Sequence, residues 1–590
     1  MSKKYILFFV AFLVWLCAVL ALGRVFGGNS FDLSAERLYT LDAVSIENAK
    51  SINKPINFKL YISENLSSYS REIYNYAAYI TAILGQYQKQ NPLIKFEIIR
   101  VKPYSAEAKI AEETGILNIP FEDEYVYFGL QVFNSEQSTI IPAIIPERRP
   151  YFENDINRIL VNFINPQKEI VGFLSPETQI FSLEKREKSW TLIDQMAQHY
   201  KLLDIPLTSN YIPTNVKVMV LYNPRKLPPR FLYVLDQYVM GGGKLLIFVD
   251  PYSEIDHFYK GYPPHSDTNI SHLLRRWGIE YDHTKVIGSY SKSLKIADGI
   301  QYPLWFFVSG NGMEKLHFRT AGSLEIIPQE NVNYEVMLQT PADGGEIKSE
   351  SLRYSSKKMA IEHYNTKDKT YNLIVKASGE FFSSYTEGYY DNTEQQESIP
   401  PFIYVSSPKA AVVVVADSDF VSDDSWALYS DKNNMIYGTA PYADNAEYVL
   451  SLIDNLINEN QKVCHPKYFD TSNIAAEIVK PLIMQNAQLK TQLENAINTE
   501  KNNIRKFKTF ISLSDKGKSL KYREQLASSE EKLQKYNSDL ERLNNLNIHQ
   551  TKHTLNIIVI LNLFVIPLFL NMIIWIYLFS RRKRQQKETK

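Results

Sequence analysis

Cysteine is nearly absent. Two occur in 590 residues, Cys17 and Cys464. Cys17 falls inside an apolar run, which leaves one thiol for the rest of the chain. An internal disulfide, a cysteine-based metal site and a CxxC redox pair are therefore excluded. Net charge is also missing, because 65 basic and 65 acidic residues cancel. No basic footprint for nucleic acid results. The phosphate-loop pattern GxxxxGK[ST] does not occur, so the chain hydrolyses no ATP by that route. HExxH and GxSxG are absent too. The run Gly241-Gly242-Gly243 precedes a strand rather than opening a helix, so it is no dinucleotide fingerprint. A cysteine nucleophile following a strand is lacking.

What the chain does have is an apolar run near each end. Tyr5 to Leu22 follows Lys3 and Lys4, and Leu555 to Phe579 runs into Arg581, Arg582, Lys583 and Arg584. At about 1.5 Å per helical residue, either crosses a hydrocarbon core of about 30 Å. Basic flanks stay on the cytoplasmic side. The expectation is a two-pass protein of the inner (cytoplasmic) membrane, with both termini cytoplasmic and the bulk of the chain periplasmic. For the first run a second reading stands, a signal peptide cleaved after Val19-Leu20-Ala21.

Length allows roughly two to four domains. The order strand (Ile56 to Ile62), helix (Ser70 to Lys89), strand (Ile94 to Val101), helix (Ala106 to Thr114) and two strands (Tyr125 to Phe133, Ser138 to Ile145) suggests a thioredoxin-like α/β domain over 31–150. An amphipathic helix, Glu153 to Ile164, leads into a second α/β domain over 151–470. Its strands, among them Glu169 to Leu174, Val216 to Tyr222, Lys244 to Val249 and Ala410 to Ala416 (AAVVVVA), are continuous apolar runs separated by helices. That pattern indicates a parallel sheet covered on both faces. Residues from about 289 to 371 lose the rhythm and read as an insertion. The α/β pattern resumes at Tyr371 to Lys376.

From about Ser472 the composition turns to Gln, Asn, Lys, Glu and Leu. Ile497, Ile504 and Ile511 recur every seven residues, as do Leu526, Leu533 and Leu540, with Gly517 between the two series. Sevenfold apolar spacing makes a coiled-coil seam, and two arms about a glycine turn make an antiparallel hairpin over 472–548. A solvated spacer helix is the alternative. The remaining segments are the spans 5–22 and 555–579.

Acidic residues are the candidates for a ligand site. Asp250 and Asp417 each end an apolar strand, on the edge where α/β sheets bind ligands. Asp419, Asp423 and Asp424 add oxygens of the kind that suit a hard cation. DSDFVSDD lacks the glycine of a calcium loop, and no metal ligand is assigned. Capping of the next helix explains the same aspartates. His257 and His265 flank a loop and read as solvated, Arg148-Arg149 reads as a solvated linker or as a contact to phosphate headgroups or a partner, and Gly278 as a helix stop.

Several words together resemble the GldG-like auxiliary subunits of ABC-2-type transporters, the gliding-motility-associated group. They are FDLSAERLYTLD, YFGLQVF with IIPAIIPE, YFENDINRIL before KEIVGFL, the long string ending MGGGKLLIFVDP, HLLRRWGIEYD, AAVVVVADSDFVSDD and ADNAEYVLSLIDNL. The chain departs from that pattern at Ser175-Pro176-Glu177, where a His-Gly-Glu-like turn is usual, and at Asn458 to Asp470, where an arginine-rich stretch is usual. The resemblance implies a flavodoxin-like or amidotransferase-like α/β domain without catalytic residues, and no cofactor. It implies a separate ABC permease and a separate ATPase as partners; gliding itself does not follow. The expected function is a non-enzymatic accessory subunit anchored in the lipid bilayer, exposing a large extracytoplasmic domain for substrate binding or for coupling to envelope machinery, with an envelope or polysaccharide cargo. The alternatives are an exported ligand- or polysaccharide-binding module independent of a transporter, and a metal-dependent hydrolase using the aspartates.

Overall fold

The computed structural model describes residues 38–468, apart from 65, 67–70, 122–123, 175–189, 256–267, 297–298, 354, 390–399, 433–434 and 459–465, together with positions between 493 and 542. The chain divides into two compact units, Met1–Tyr468 and Phe469–Lys590. Both apolar runs lie outside the described residues. Among the described residues no helix is long and apolar enough to cross a membrane.

The first unit opens with helix α1 (Ala43–Ser51), capped by Asp42, whose carboxylate accepts from the Val44 amide at 2.9 Å. Then come β1 (Ile56–Ser63), α2 (Arg71–Gln90), β2 (Ile94–Val101), α3 (Ala106–Thr114), β3 (Asn118–Phe121), β4 (Glu124–Phe133) and β5 (Ser138–Ile141). Ser105 caps the start of α3, and Gly115 at φ +98° ends it. The sheet order is β2-β1-β4-β3, with β5 also on β4. β1 runs parallel to β2 and antiparallel to β4. The two helical crossovers leave room for one parallel pair, and the hairpin that follows reverses the chain.

Helix α4 (Phe152–Ile164) joins this sheet to a larger one. The larger sheet contains β6 (Ile170–Leu174), β7 (Lys201–Asp204), β8 (Val216–Tyr222), β9 (Lys244–Phe248) and, far along the chain, β20 (Ala411–Val415). These lie in the order β7-β6-β8-β9-β20, and every neighbouring pair is parallel. Counted along the chain, that is the doubly wound order 2-1-3-4-5. Helices α5 (Thr191–His199), α6 (Pro229–Met240), α7 (Ser271–Arg276) and α9 (Asn445–Ile457) flank it. Successive residues of one strand enter opposite cores. Val218, Val220, Leu246, Phe248, Val413 and Val415 face the side of α5 and α9. Met219, Leu221, Leu245, Ile247, Val412 and Val414 face the side of α6 and α7. Each such side chain contributes about 1.5–3 kcal/mol by leaving water, which is why the strands read as unbroken apolar runs.

The insertion is more integrated than its sequence suggests. β11 (Lys285–Ser289), β17 (Gly344–Lys348) and β18 (Asn365–Lys369) form one small sheet, and β12 (Ser293–Lys295), β13 (Gln301–Gly310) and β14 (Met313–Arg319) another. Helix α8 (Lys357–His363) lies between β17 and β18 in the chain. β15 (Ser323–Ile326) and β16 (Val332–Gln339) instead extend the main sheet through β19 (Asn372–Gly379), and β10 (Ile279–Asp282) closes that edge. β19 lies antiparallel to β20, with Ile374 opposite Val415. The resumption at Tyr371 is thus a reversed strand and not another βα crossover. Glycines stop two helices, at Gly278 as expected. Gly242 has φ +92°, and Gly278 has φ +85° with no room for a side chain, since a Cβ there would lie 1.8 Å from the Tyr334 hydroxyl. The last strands of the unit, β21 (Ala427–Lys432) and β22 (Met435–Pro441), form a hairpin before α9.

In the second unit every described position from 493 to 542 is helical. Among the shielded positions, Leu493, Ile497, Glu500, Ile504, Phe507 and Ile511, then Tyr522, Leu526, Ser529, Leu533 and Tyr536, recur in alternating steps of four and three, with Ala496, Asn503 and Asp539 beside them. The Lys508 Nζ lies 3.9 Å from Glu530 Oε1, so the two runs pass side by side. Carried outward antiparallel, that register sets Ile504 about level with Leu533.

Candidate functional site

β9 and β20 are neighbours, and both leave the sheet at an aspartate. Asp250, Asp417 and Asp419 are at most 1% exposed. Backbone that leaves a buried sheet has amides to satisfy, and short acidic side chains do this locally. Asp250 accepts from the Tyr252 amide at 2.7 Å and from the Ser418 amide and hydroxyl at 3.0 and 2.8 Å. Asp417 accepts from the Phe420 amide at 3.0 Å and the Arg319 amide at 2.7 Å. Asp419 accepts from the Ser253 hydroxyl and the Glu254 amide, both at 2.7 Å. The loops after β9 and β20 and the end of β14 are thereby stitched together.

Burial pushes all three carboxyls well above the usual carboxylate range, and their mutual repulsion pushes the same way. At Asp417 and Asp419, Arg319 opposes this without outweighing it. Its guanidinium is engaged by Glu254 at 2.8 Å and stacks 4.6 Å from the Trp305 ring centre. Nearby, His317 is 2% exposed, and its Nδ1 lies 2.9 Å from the Ser425 carbonyl. Burial pushes that imidazole down to about 3.

The structure brings Asp250, Asp417 and Asp419 together and separates the other two candidates. Asp423 holds the start of α5, accepting from the Thr191 amide at 2.9 Å and its hydroxyl at 3.0 Å. Burial raises its carboxyl to about 6. Asp424 is exposed. Among the described residues no group of three or more His, Cys, Asp or Glu side chains is arranged to hold a metal ion.

A second polar cluster escaped the sequence reading. Helix α4 buries Glu153, Asn154 and Asn157 along with its apolar residues. Arg158 grips Glu447 of α9 with two bonds, at 3.0 and 2.7 Å, and its Nε lies 3.6 Å from Asp454. Two parallel N–H···O bonds are the strong form of this pairing. Burial works against both charges. Glu447 and Asp454 nonetheless hold Arg158 protonated, and Arg158 keeps Glu447 below its usual range. Asn154 adds a bond to Glu447 at 2.9 Å, and the Tyr151 hydroxyl donates to Asp444. On the other side of α4, Glu153 accepts from the Asp42 amide at 2.6 Å and from the Ser45 hydroxyl. Its second oxygen pairs with Lys467 at 2.7 Å. Lys467 also donates to the Thr40 carbonyl through Nζ and to the Pro150 carbonyl through its amide. The first and last described segments of this unit therefore meet at one buried carboxylate. A cavity of about 130 Å³ beside the seam is lined by Asn48, Asn162, Lys168, His199 and Asp454, among others. YFENDINRIL gave no sign of it, because its polar residues fill the ordinary polar side of an amphipathic helix.

Residues 168–452 match the family described as ABC-type uncharacterized transport system, auxiliary component. Residues 35–132 match a domain of unknown function (DUF7088). No curated protein matches the chain. Among solved structures, an exo-beta-1,4-mannosidase, Op5Man5, from Opitutaceae bacterium strain TAV5 is 10% identical over 60% of this chain, with a TM-score of 0.19. The chain spans 46% of that enzyme's length, and the likeness carries no argument about fold or activity.

Proposed function

We propose, from the premise that residues 168–452 belong to the auxiliary family of ABC-type transport systems, that this chain is a non-enzymatic accessory subunit held in the cytoplasmic membrane by its two apolar runs. The bulk of the chain then lies in the periplasm, and a separate permease and ATPase complete the transporter. The observation that carries the reading is the family match, which spans the whole doubly wound sheet from β6 to α9. The strand orders support a thioredoxin-like first domain and a flavodoxin-like second one. The four-three spacing of shielded positions and the Lys508–Glu530 pair support a coiled-coil hairpin suited to docking on a partner.

The aspartate edge fits a non-catalytic role. The oxygens of Asp250, Asp417 and Asp419 are occupied by the chain's own amides and hydroxyls, so in this reading they tie loops rather than hold a substrate.

Affinity purification of the full-length protein from its own membranes in mild detergent, with mass spectrometry, tests the proposal. A polytopic permease and an ATPase in near-equal amounts are expected. Their absence, repeated after gentle crosslinking, would remove the transporter from the reading. A reporter active only outside the cytoplasm, fused near Gly517, is expected to work; activity of a cytoplasm-only reporter at that site would overturn the orientation.

A further inference from the structure

The cavity beside the seam lies where three helices end, at the opposite end of the parallel sheet from the aspartate edge. α4 stops at Ile164, α5 at His199 and α9 at Ile457, and α1 adds Val44 and Asn48 to the wall. The last carbonyls of a helix have no partner within it. Here side chains supply some. Asn162 donates to the Gln198 carbonyl at 3.2 Å, and Lys168 Nζ to the Ala197 carbonyl at 2.9 Å. Asn157 is engaged as well, by Ser45 at 2.8 Å and by Tyr87 at 3.2 Å. Two residues of the wall keep unused capacity. Asn154 is 3% exposed, and neither its Oδ1 nor the His199 Nδ1 has a hydrogen-bond partner among the described residues. Shielded polar atoms of this kind are rare in a folded chain and call for an explanation.

The wall has a chemistry of its own. Seven of its sixteen residues are asparagine or glutamine. A side-chain amide both donates and accepts, as a hydroxyl does. Arg158 and Lys168 are balanced by Glu169 and Asp454. Burial, helped by the Arg158 charge, pushes the His199 imidazole down to about 3, so it stays neutral. A wall without net charge favours neither an anion nor a cation. Val44, Val161 and Ile457 add apolar surface. The volume of about 130 Å³ is close to the roughly 150 Å³ of a cavity that admits benzene, which is room for one six-membered ring. It is well short of the roughly 300 Å³ at which pockets for larger ligands begin.

We propose that this cavity binds one uncharged pyranose ring, either a free sugar or the end residue of a glycan. Such a ring carries hydroxyls on its rim for the amides, C–H groups on its faces for the apolar residues, and no charge. As a site for an envelope glycan it rests on the periplasmic reading above; the binding itself stands on the cavity.

Saturation-transfer NMR on the full-length protein, in a detergent without a sugar headgroup, tests it with glucose, galactose, mannose and N-acetylglucosamine. Transfer to the ring protons of at least one is expected, and the methyl glycosides tell a free sugar from the end of a glycan. Val161→Phe sets a side-chain ring in the cavity and is expected to abolish the transfer without lowering the thermal midpoint. Asn48→Leu removes one amide from the wall and is expected to weaken binding several-fold; it decides the matter if Val161→Phe fails to fold. Glucuronate and glucosamine, which carry a charge on the same ring, are expected to bind several-fold more weakly. Tyr404→Ala, in the exposed aromatic patch with Phe382 and Phe402, is expected to change nothing. No transfer to any neutral sugar, transfer that survives both cavity variants, or equal binding of the charged rings overturns the proposal. Co-purification of a permease and an ATPase is read separately, so a failure here leaves the transporter reading standing.

Discussion

The acidic edge and the α4–α9 seam answer one problem in opposite ways. Both bury carboxylates that water would otherwise solvate. At the edge, Asp250, Asp417 and Asp419 receive neutral amides and hydroxyls, and burial drives them toward the protonated form. At the seam, Glu447 receives a guanidinium and is kept charged. The pH dependences therefore have opposite sign. The edge carboxyls bind protons more tightly folded than unfolded, so their contribution is full at low pH and is lost as pH rises through their raised range. The seam carboxylate contributes above its unfolded value and loses that contribution as pH falls. One region hardens in acid, and the other loosens.

The largest expected effect comes from breaking the seam. Arg158→Met leaves Glu447 buried without its cation, which costs roughly 3–5 kcal/mol. The thermal midpoint of the solubilised chain is the readout, and adding Glu447→Gln is expected to restore most of the loss. If Arg158→Met alone shifts stability by less than about 1 kcal/mol, the contrast with the edge is false. Asp417→Asn is expected to cost about 1–3 kcal/mol at neutral pH, because one acceptor is lost to the amides of Phe420 and Arg319. It should cost less at alkaline pH, where the wild-type carboxyl is forced to ionise. A loss that instead grew with pH would show the edge to be charge-paired after all.

Asp423 sharpens the sign of the effect. Its carboxyl titrates at about 6 folded against 3.8 unfolded, so its contribution is complete below 3.8 and is lost as pH rises through about 6. Unfolding curves between pH 4 and 6 should lose up to about 1.4 kcal/mol per unit from this group. Asp423→Asn should flatten that slope, and an unchanged slope would assign the loss elsewhere. The smallest effect belongs to the second unit. Lys508 and Glu530 are exposed, and Lys508→Ala should cost less than about 1 kcal/mol, and nothing measurable in high salt.

The sheet was legible because burial on both faces writes itself into every residue of a strand, as in AAVVVV. Direction was not legible, because an apolar run looks the same in a parallel and an antiparallel neighbour. β19 therefore passed for a βα strand. β7 was missed because KLLD is short and sits at the edge, where only one side is paired. The insertion hid β15 and β16, which belong to the main sheet by pairing with β10 and β19 rather than by their own composition. The aspartates could be placed at the sheet edge from sequence, but their partners could not. The seam was invisible for a related reason. Arg158 and Glu447 each look like ordinary solvated helix charges, and only the fold brings α4 against α9.

The meeting of Thr40, Glu153 and Lys467 has a mechanical consequence. Tension applied along the chain from its two ends would reach this clasp before any β strand. The load would pass across a few polar bonds from one end to the other, and the doubly wound sheet would hang beside that line, unstressed. Such a joint yields by opening one bond after another, at low force, while the domain it guards stays folded.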